Sequence, residues 1–169
     1  MARSIRKATA HDVEAILSLY ADARAFMRSV GNAGQWGDSY PGIDDVERDL
    51  AADALYACVD ERNEVLAAFF FQEGPDPTYA VIEGAWTDEG PYHVMHRVAA
   101  RAGSGAGRFA IAWATGQVRS VRIDTHEDNA PMRHVLSSLG FIECGTIHLA
   151  DGSPRIAYQH IDQSRPAPA

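Results

Sequence analysis

The segment Met95-His-Arg-Val-Ala-Ala-Arg-Ala-Gly-Ser-Gly-Ala-Gly-Arg-Phe109 holds the residues whose types and spacing point most directly to chemistry. A strand-like run enters Gly103-x-Gly105-x-Gly107, and a helical pattern opens directly afterwards. Glycines let the backbone turn tightly and aim successive N–H groups at one point, while a helix N-terminus adds partial positive charge. That combination suits a pyrophosphate, although a purely structural turn accounts for alternating glycines equally well. The spacing is not G-x-G-x-x-G, and Gly-Lys-Ser/Thr is absent. A dinucleotide fold and a nucleoside-triphosphate loop are therefore both disfavoured.

Other reactive side chains are dispersed, and each has two readings. His96 has an ordinary pKa suited to proton transfer near neutrality, or it is a hydrogen-bonded structural histidine. Glu83, inside an apolar run, either faces a cleft and attracts an amine or lies exposed on a strand. Trp36, Tyr40 and Trp86 are candidate substrate-binding aromatics. Aromatics in the loop 31–42 could enclose an amine by cation–π contact, or staple a glycine-rich loop. His126 reads as a loop residue, with catalysis as the alternative. The seven histidines are scattered, and His93 and His96 on a strand would point to opposite faces, so no metal site is expected. Cys58 and Cys144 sit in apolar runs and read as small core residues.

Several elements must position these residues. Residues 4–8 form a short strand, and Asp12 is a candidate N-cap for a helix reaching about residue 28. A second helix covers residues 43–52, with Ile43, Val46 and Leu50 on one side. Residues 55–59 and 65–72 make a hairpin around a polar turn. Residues 79–86 form a strand or an irregular cover. Then follow a strand (92–100), a helix (108–117), a strand (120–124) and a helix (131–139) with Gly140 at its C-terminal cap. Two strands, 141–149 and 155–161, close the pattern. The order is that of one mixed α/β domain over residues 1–161, with 162–169 expected to be a disordered tail.

A chain of 169 residues with 46% hydrophobic and 22% charged residues has the composition of a soluble globular domain. Its formal charge of -8, without a basic cluster, disfavours nucleic acid as a partner. No run approaches the roughly 18 apolar residues of a membrane span, and the N-terminal region has no apolar core of a leader, so a cytoplasmic, membrane-free location is expected.

The strand, the turn Ala102-Gly-Ser-Gly-Ala-Gly107 and the following helix resemble the acyl-CoA motif of the GNAT superfamily of N-acetyltransferases. The later run Asp124-Thr-His-Glu-Asp-Asn129, followed by a helix and Gly140-Phe141, resembles that superfamily's second CoA motif. The pairs Gln35-Trp36 and Tyr40-Pro41, the run His96-Arg97-Val98-Ala99 and the terminal Asp151-Gly-Ser-Pro-Arg155 are similar to a group of bacterial members. The resemblance implies an α/β (mixed α+β) fold: a central mixed, twisted sheet of about six or seven strands flanked by about four helices. It implies acetyl-CoA as co-substrate and a primary amine, on a small molecule, as acceptor, attacking directly in a ternary complex. A catalytically silent acyl-CoA-binding module is the alternative, and a homodimer is common in the family. By the same resemblance the backbone around Val98, Ala99 and Ala100 would pair with the pantetheine arm. Arg101 and the amides of Gly103, Ser104, Gly105, Ala106, Gly107 and Arg108 would hold the pyrophosphate. Asn129 would hydrogen-bond the pantetheine where two parallel strands splay. The loop with Trp36 and Tyr40 would cover the acceptor, and His96 would lie beside the thioester. Two positions depart from the pattern: Ala102 stands at the usual Arg/Gln site, and Leu136 stands where many members have a tyrosine acid.

Overall fold

Hydrophobic alternation and turn chemistry build the elements of two compact units, Met1–Phe71 with His96–Ile111 and Gln72–Met95 with Ala112–Ala169. The computed structural model describes residues 2–166.

In the first unit, β1 (Arg3–Lys7) pairs antiparallel with β2 (Leu55–Asp60), Ile5 opposite Cys58. β2 in turn pairs antiparallel with β3 (Val65–Glu73), Leu55 opposite Phe70. The hairpin forms because Asp60 Oδ1 accepts from the amides of Arg62 and Glu64, both at 2.9 Å, and Asn63 takes the left-handed conformation. α1 (Val13–Ser29) and α2 (Ile43–Ala51) cover one sheet face. Ile16, Leu19, Tyr20 and Val46 pack there with Ala57, Val59, Ala68 and Ala99. The intervening residues Cys58, Leu66 and Ala67 point to the other face and meet Ala106 and Phe109. With both faces covered, these strands are apolar almost throughout, which is why their sequence lacks strong alternation. Cys58 is a buried free thiol, as expected of a small core residue, whereas Cys144 in the second unit is only half-buried.

Two expectations need correction here. Asp12 does not cap α1 with its side chain. Its carboxylate instead accepts from Thr9 N at 2.7 Å and pairs with both Nη atoms of Arg6, at 2.8 and 2.9 Å. On α2, Val46 is buried and Leu50 half-buried, but Ile43 is exposed and Asp49 takes a buried place. Ile43 begins the helix, where the chain is still arriving from the loop, so heptad-style counting overstates its burial.

The second unit begins with a 3-10 turn (Pro77–Tyr79) and a two-residue strand, β4 (Glu83–Gly84). β5 (His93–Ala100) lies parallel to β6 (Ser120–Thr125), His93 opposite Val121 and Val94 opposite Arg122. β7 (Ile142–His148) and β8 (Pro154–Ile161) form the final antiparallel hairpin, and β8 also pairs with β6. Two helices complete the set: α3 (Ala106–Gln117), which starts two residues before its expected position, and α4 (Ala130–Ser138). Strand order β1-β2-β3-β5-β6-β8-β7-β4 makes an eight-stranded mixed sheet. β4 is the strand beyond the expected count. It forms because Gly84 lies against Gly145: a Cβ at Gly84 would be 2.2 Å from the Cys144 carbonyl oxygen.

The expected disordered tail is in part a turn. Ser164 donates its amide and hydroxyl to Asp162 Oδ1, and Arg165 reaches the Gly116 carbonyl. Residues 167–169 of that expectation lie outside the described residues.

Candidate active site

The first unit holds a strained residue at the centre of its polar cluster. Arg97 lies within β5, yet its φ is 53°, a conformation that non-glycine side chains rarely adopt. A left-handed residue breaks the alternation that would send neighbours to opposite faces. Accordingly the His96 ring stacks on Phe70, centroids 5.9 Å apart, while Arg97 Cζ lies 4.8 Å from the same ring.

Arg97 is anchored from behind. Its Nε and Nη2 donate to the two carboxylate oxygens of Asp49, at 2.9 and 2.8 Å, and Nη1 donates to Tyr40 Oη at 3.0 Å. Burial raises the Asp49 carboxyl above its ordinary value, while the paired Arg97 guanidinium pulls it back. Tyr40 belongs to an edge-to-face series: Tyr20 to Trp36 at 5.7 Å and Trp36 to Tyr40 at 6.4 Å. Tyr40 is exposed, Trp36 is half-buried and Tyr20 is buried. The Tyr20 hydroxyl has no hydrogen-bond partner among the described residues, and burial pushes its pKa well up. Thus Trp36, Tyr40 and His96, all picked out in the sequence, gather in one unit. Asp49, Tyr20 and the role of Arg97 were missed. The usable signal was Asp49 itself, an acid three residues after Val46 on the inward side of α2.

The glycine turn lies in the same unit. Gly103 and Gly105 have φ of 69° and 68°, so both need the left-handed freedom of glycine. A Cβ at Gly103 would meet nothing within 4 Å. Phe109 N donates to Gly105 O at 3.1 Å as the first i→i−4 bond of α3. Gly107 and Arg108 thus stand in the first turn of α3, at the positive end of the helix. Ser104 braces the turn: its Oγ donates to Arg101 O at 2.7 Å and accepts from Ala106 N at 3.2 Å. Arg101 itself leans away, 3.6 Å from Glu64, and leads into the turn through Arg101 N to Leu66 O at 2.8 Å. A cation that sequence reading overlooked stands closer. Arg3 of β1 donates to Ser104 O, and its Nη atoms would be 3.7 Å from a Cβ at Gly105. Val98 and Ala100 are half-buried and Ala99 buried, on the stretch of β5 that leads into this turn.

The second unit places the remaining expected residues. Asn129 is nearly buried and caps α4, its Oδ1 accepting from Met132 N at 3.2 Å. Leu136, at the departed tyrosine position, is fully buried. Glu83 is exposed on β4, opposite Thr146. Trp86 is buried, with Nε1 donating to Tyr79 O and the Arg122 guanidinium 4.0 Å from its ring centroid. The other face of that guanidinium environment is Tyr92, at 3.8 Å. Trp86 therefore serves here mainly as a packing residue. His126 Nδ1 accepts from Asp128 N at 3.2 Å, which suits the loop-shaping reading. Tyr79 Oη donates to Asp124 Oδ1 at 2.6 Å, so that the end of β6 is tied to the 3-10 turn.

No protein-family model and no curated protein matches the chain. Solved structures do. A GNAT-family acetyltransferase from Streptococcus agalactiae is 30% identical, with TM-score 0.85 over 95% of this chain and 96% of that one. A GNAT-family acetyltransferase from Listeria monocytogenes has the same fold at 19% identity, with TM-score 0.70 over 94% of each chain. A phosphinothricin acetyltransferase from Sinorhizobium meliloti, crystallised with acetyl-CoA, shares the fold at 14% identity and TM-score 0.66, over 99% of this chain and 94% of that one. With the first of these similar over nearly its whole length, and with the glycine turn and eight-stranded sheet in place, the chain belongs to the GNAT family of acetyltransferases.

Proposed function

We propose that the protein moves an acetyl group from acetyl-CoA to a primary amine on a small molecule. The observation that carries this reading is the left-handed pair Gly103 and Gly105 at the start of α3, with Arg3 alongside. The residues fit a pyrophosphate: side-chain-free space at Gly103, helix-end amides at Gly107 and Arg108, and a guanidinium at Gly105. Arg3 supplies the charge that Ala102 lacks. Arg101, Ser104, Ala106 and the backbone of Val98, Ala99 and Ala100 belong to the same reading; in the second unit Asn129 is proposed, by the resemblance alone, as a pantetheine hydrogen-bonding residue. The acetyl-CoA bound to the Sinorhizobium meliloti protein supports it by likeness of fold.

In this reaction an ammonium loses one proton, the amine nitrogen bonds to the acetyl carbon, and the carbon–sulfur bond breaks. The products are the acetamide, CoA thiol and a released proton. His96 is the proposed acceptor of the ammonium proton, held against Phe70 beside Arg97. Alignment of the two substrates supplies much of the rate, so a modest base suffices. Glu83, the second candidate, is exposed on β4, which is the reading that gives it no part in the reaction. Trp36 and Tyr40 are the proposed aromatic wall for the acceptor, with Trp86 packed behind its own unit's surface.

The test is calorimetry with acetyl-CoA, with dinucleotides as controls, followed by CoA release across an amine panel. Saturable micromolar binding and amine-dependent release are expected. The fully buried Leu136 favours a second reading, an acyl-CoA-binding module without turnover, because no hydroxyl stands at the acid position. Tight binding with no amine-dependent release would select that second reading.

A further inference from the structure

We infer that the acceptor amine carries a carboxylate, recognised in the first unit by Arg97 together with the hydroxyls of Tyr40 and Tyr20. This rests on the acetyl-transfer reading above and names the substrate class for it: an amino-acid-like amine.

The argument is a count of donors and acceptors. A guanidinium has more N–H groups than Arg97 uses. Asp49 takes Nε and one N–H of Nη2, and Tyr40 takes one N–H of Nη1. Among the described residues one N–H on each Nη is left over, two donors of the kind a carboxylate accepts. Tyr40 Oη already accepts from Arg97, so its own O–H is a donor. Tyr20 Oη is buried with no hydrogen-bond partner among the described residues, and it feels Arg97, Asp49 and Tyr40 electrostatically. The oxygens of Asp49, the nearest acceptors, are engaged by Arg97. Surplus donors and no surplus acceptor complement a lone-pair-rich anion, not a second ammonium.

The charge of that anion is limited by the same cluster. Asp49 offsets the charge of Arg97, which disfavours a doubly charged phosphate, and the pull on a single carboxylate comes from the N–H and O–H donors. Only 11% of the Arg97 side chain is exposed, so its unused N–H groups are largely shielded from water and have a real need for a partner. The left-handed φ at Arg97 sets the guanidinium and the His96 ring against one Phe70 ring. Carboxylate and reacting amine are thereby placed on one small molecule.

The experiment compares primary amines that differ only in a carboxylate. Amino acids are set beside their carboxamides and decarboxylated counterparts, at saturating acetyl-CoA, with CoA thiol release as the readout. At least about tenfold higher kcat/KM for the carboxylate member is expected, expressed in KM. Arg97→Lys, which keeps the charge but loses the fork, should bring the ratio towards one, while acetyl-CoA affinity by calorimetry stays unchanged. Tyr40→Phe, at an exposed side chain, should shrink the ratio in a variant whose folding is not at risk. Equal or better turnover of the carboxamides overturns the inference and leaves acetyl transfer standing. A preference that survives in both variants overturns the residue assignment. Acetyl-CoA binding with no turnover of any amine overturns both readings.

Discussion

Gly105 and His96 test the two halves of the reaction separately. Gly105 has φ of 68°, and a side chain there would point at the Arg3 guanidinium. Gly105→Glu would strain the backbone and set a carboxylate against Arg3, in the place proposed for the pyrophosphate. Acetyl-CoA affinity should fall by about 100-fold or more, as expected when a charge-assisted contact is replaced by a like charge. Calorimetry reads this directly, and unchanged affinity would remove the site assignment. His96→Ala belongs to the chemical step instead. Loss of a positioned base lowers turnover by about 10²- to 10⁴-fold. Acetyl-CoA affinity should hardly move, because His96 contacts Phe70 on the proposed acceptor side. Equal turnover of variant and parent at every pH would end the role of His96 as base.

At the scale of elements, most of the architecture was legible because local signals agreed with packing. The polar run between residues 60 and 64 marked a hairpin, and Asp60 does close it through its own carboxylate. Gly140 marked the end of α4 and does adopt φ of 81°. Less visible were features made by distant contact. β4 exists through Gly84 against Gly145, and the strand expected as one of two readings of residues 79–86 is cut to two residues. Asp12 resembled a helix cap, but Arg6 on β1 holds its carboxylate. The same limit applied to the site: the glycine turn could be read locally, while Arg3, Asp49 and Tyr20 matter only through partners far along the chain. α4 shows how an element constrains function. Leu136 is fully buried there, so the tyrosine common in relatives could not simply be restored. Leu136→Tyr should overpack the second unit and cost about 1–3 kcal/mol, measured by urea unfolding. A stable variant would mean that the core around α4 yields more than its burial implies.

For the whole molecule the governing quantity is the response of a chain of formal charge -8 to acid. Two stages are expected, and they have different groups behind them. His93 and His160 lie below the ordinary 6.5, each because burial disfavours the imidazolium, and His160 Nδ1 is buried without a hydrogen-bond partner among the described residues. Such a group is neutral in the fold but free to protonate when unfolded. Its stabilising effect is therefore intact above about pH 6.5 and declines as pH falls below that value. The second stage belongs to Asp12, lowered to about 2, with the Arg6 hydrogen bonds as the largest cause. A depressed carboxyl stabilises the fold above its ordinary value of 3.8 and loses that effect as pH falls towards 2. The Arg6–Asp12 pair is partly exposed on the arginine side, so its share is about 1–2 kcal/mol and not the full value of the shift. Asp45 and Asp88 are lowered as well and add in the same direction, whereas buried Asp49, raised, works against them. Urea midpoints measured from pH 7.5 down to 2.5 should thus fall gently at first and steeply below about pH 4. Asp12→Asn should lower the midpoint at neutral pH and flatten the steep limb, since the group that titrates there has gone. A steep limb of unchanged height in Asp12→Asn would move the acid sensitivity from the Arg6–Asp12 pair to the remaining carboxylates.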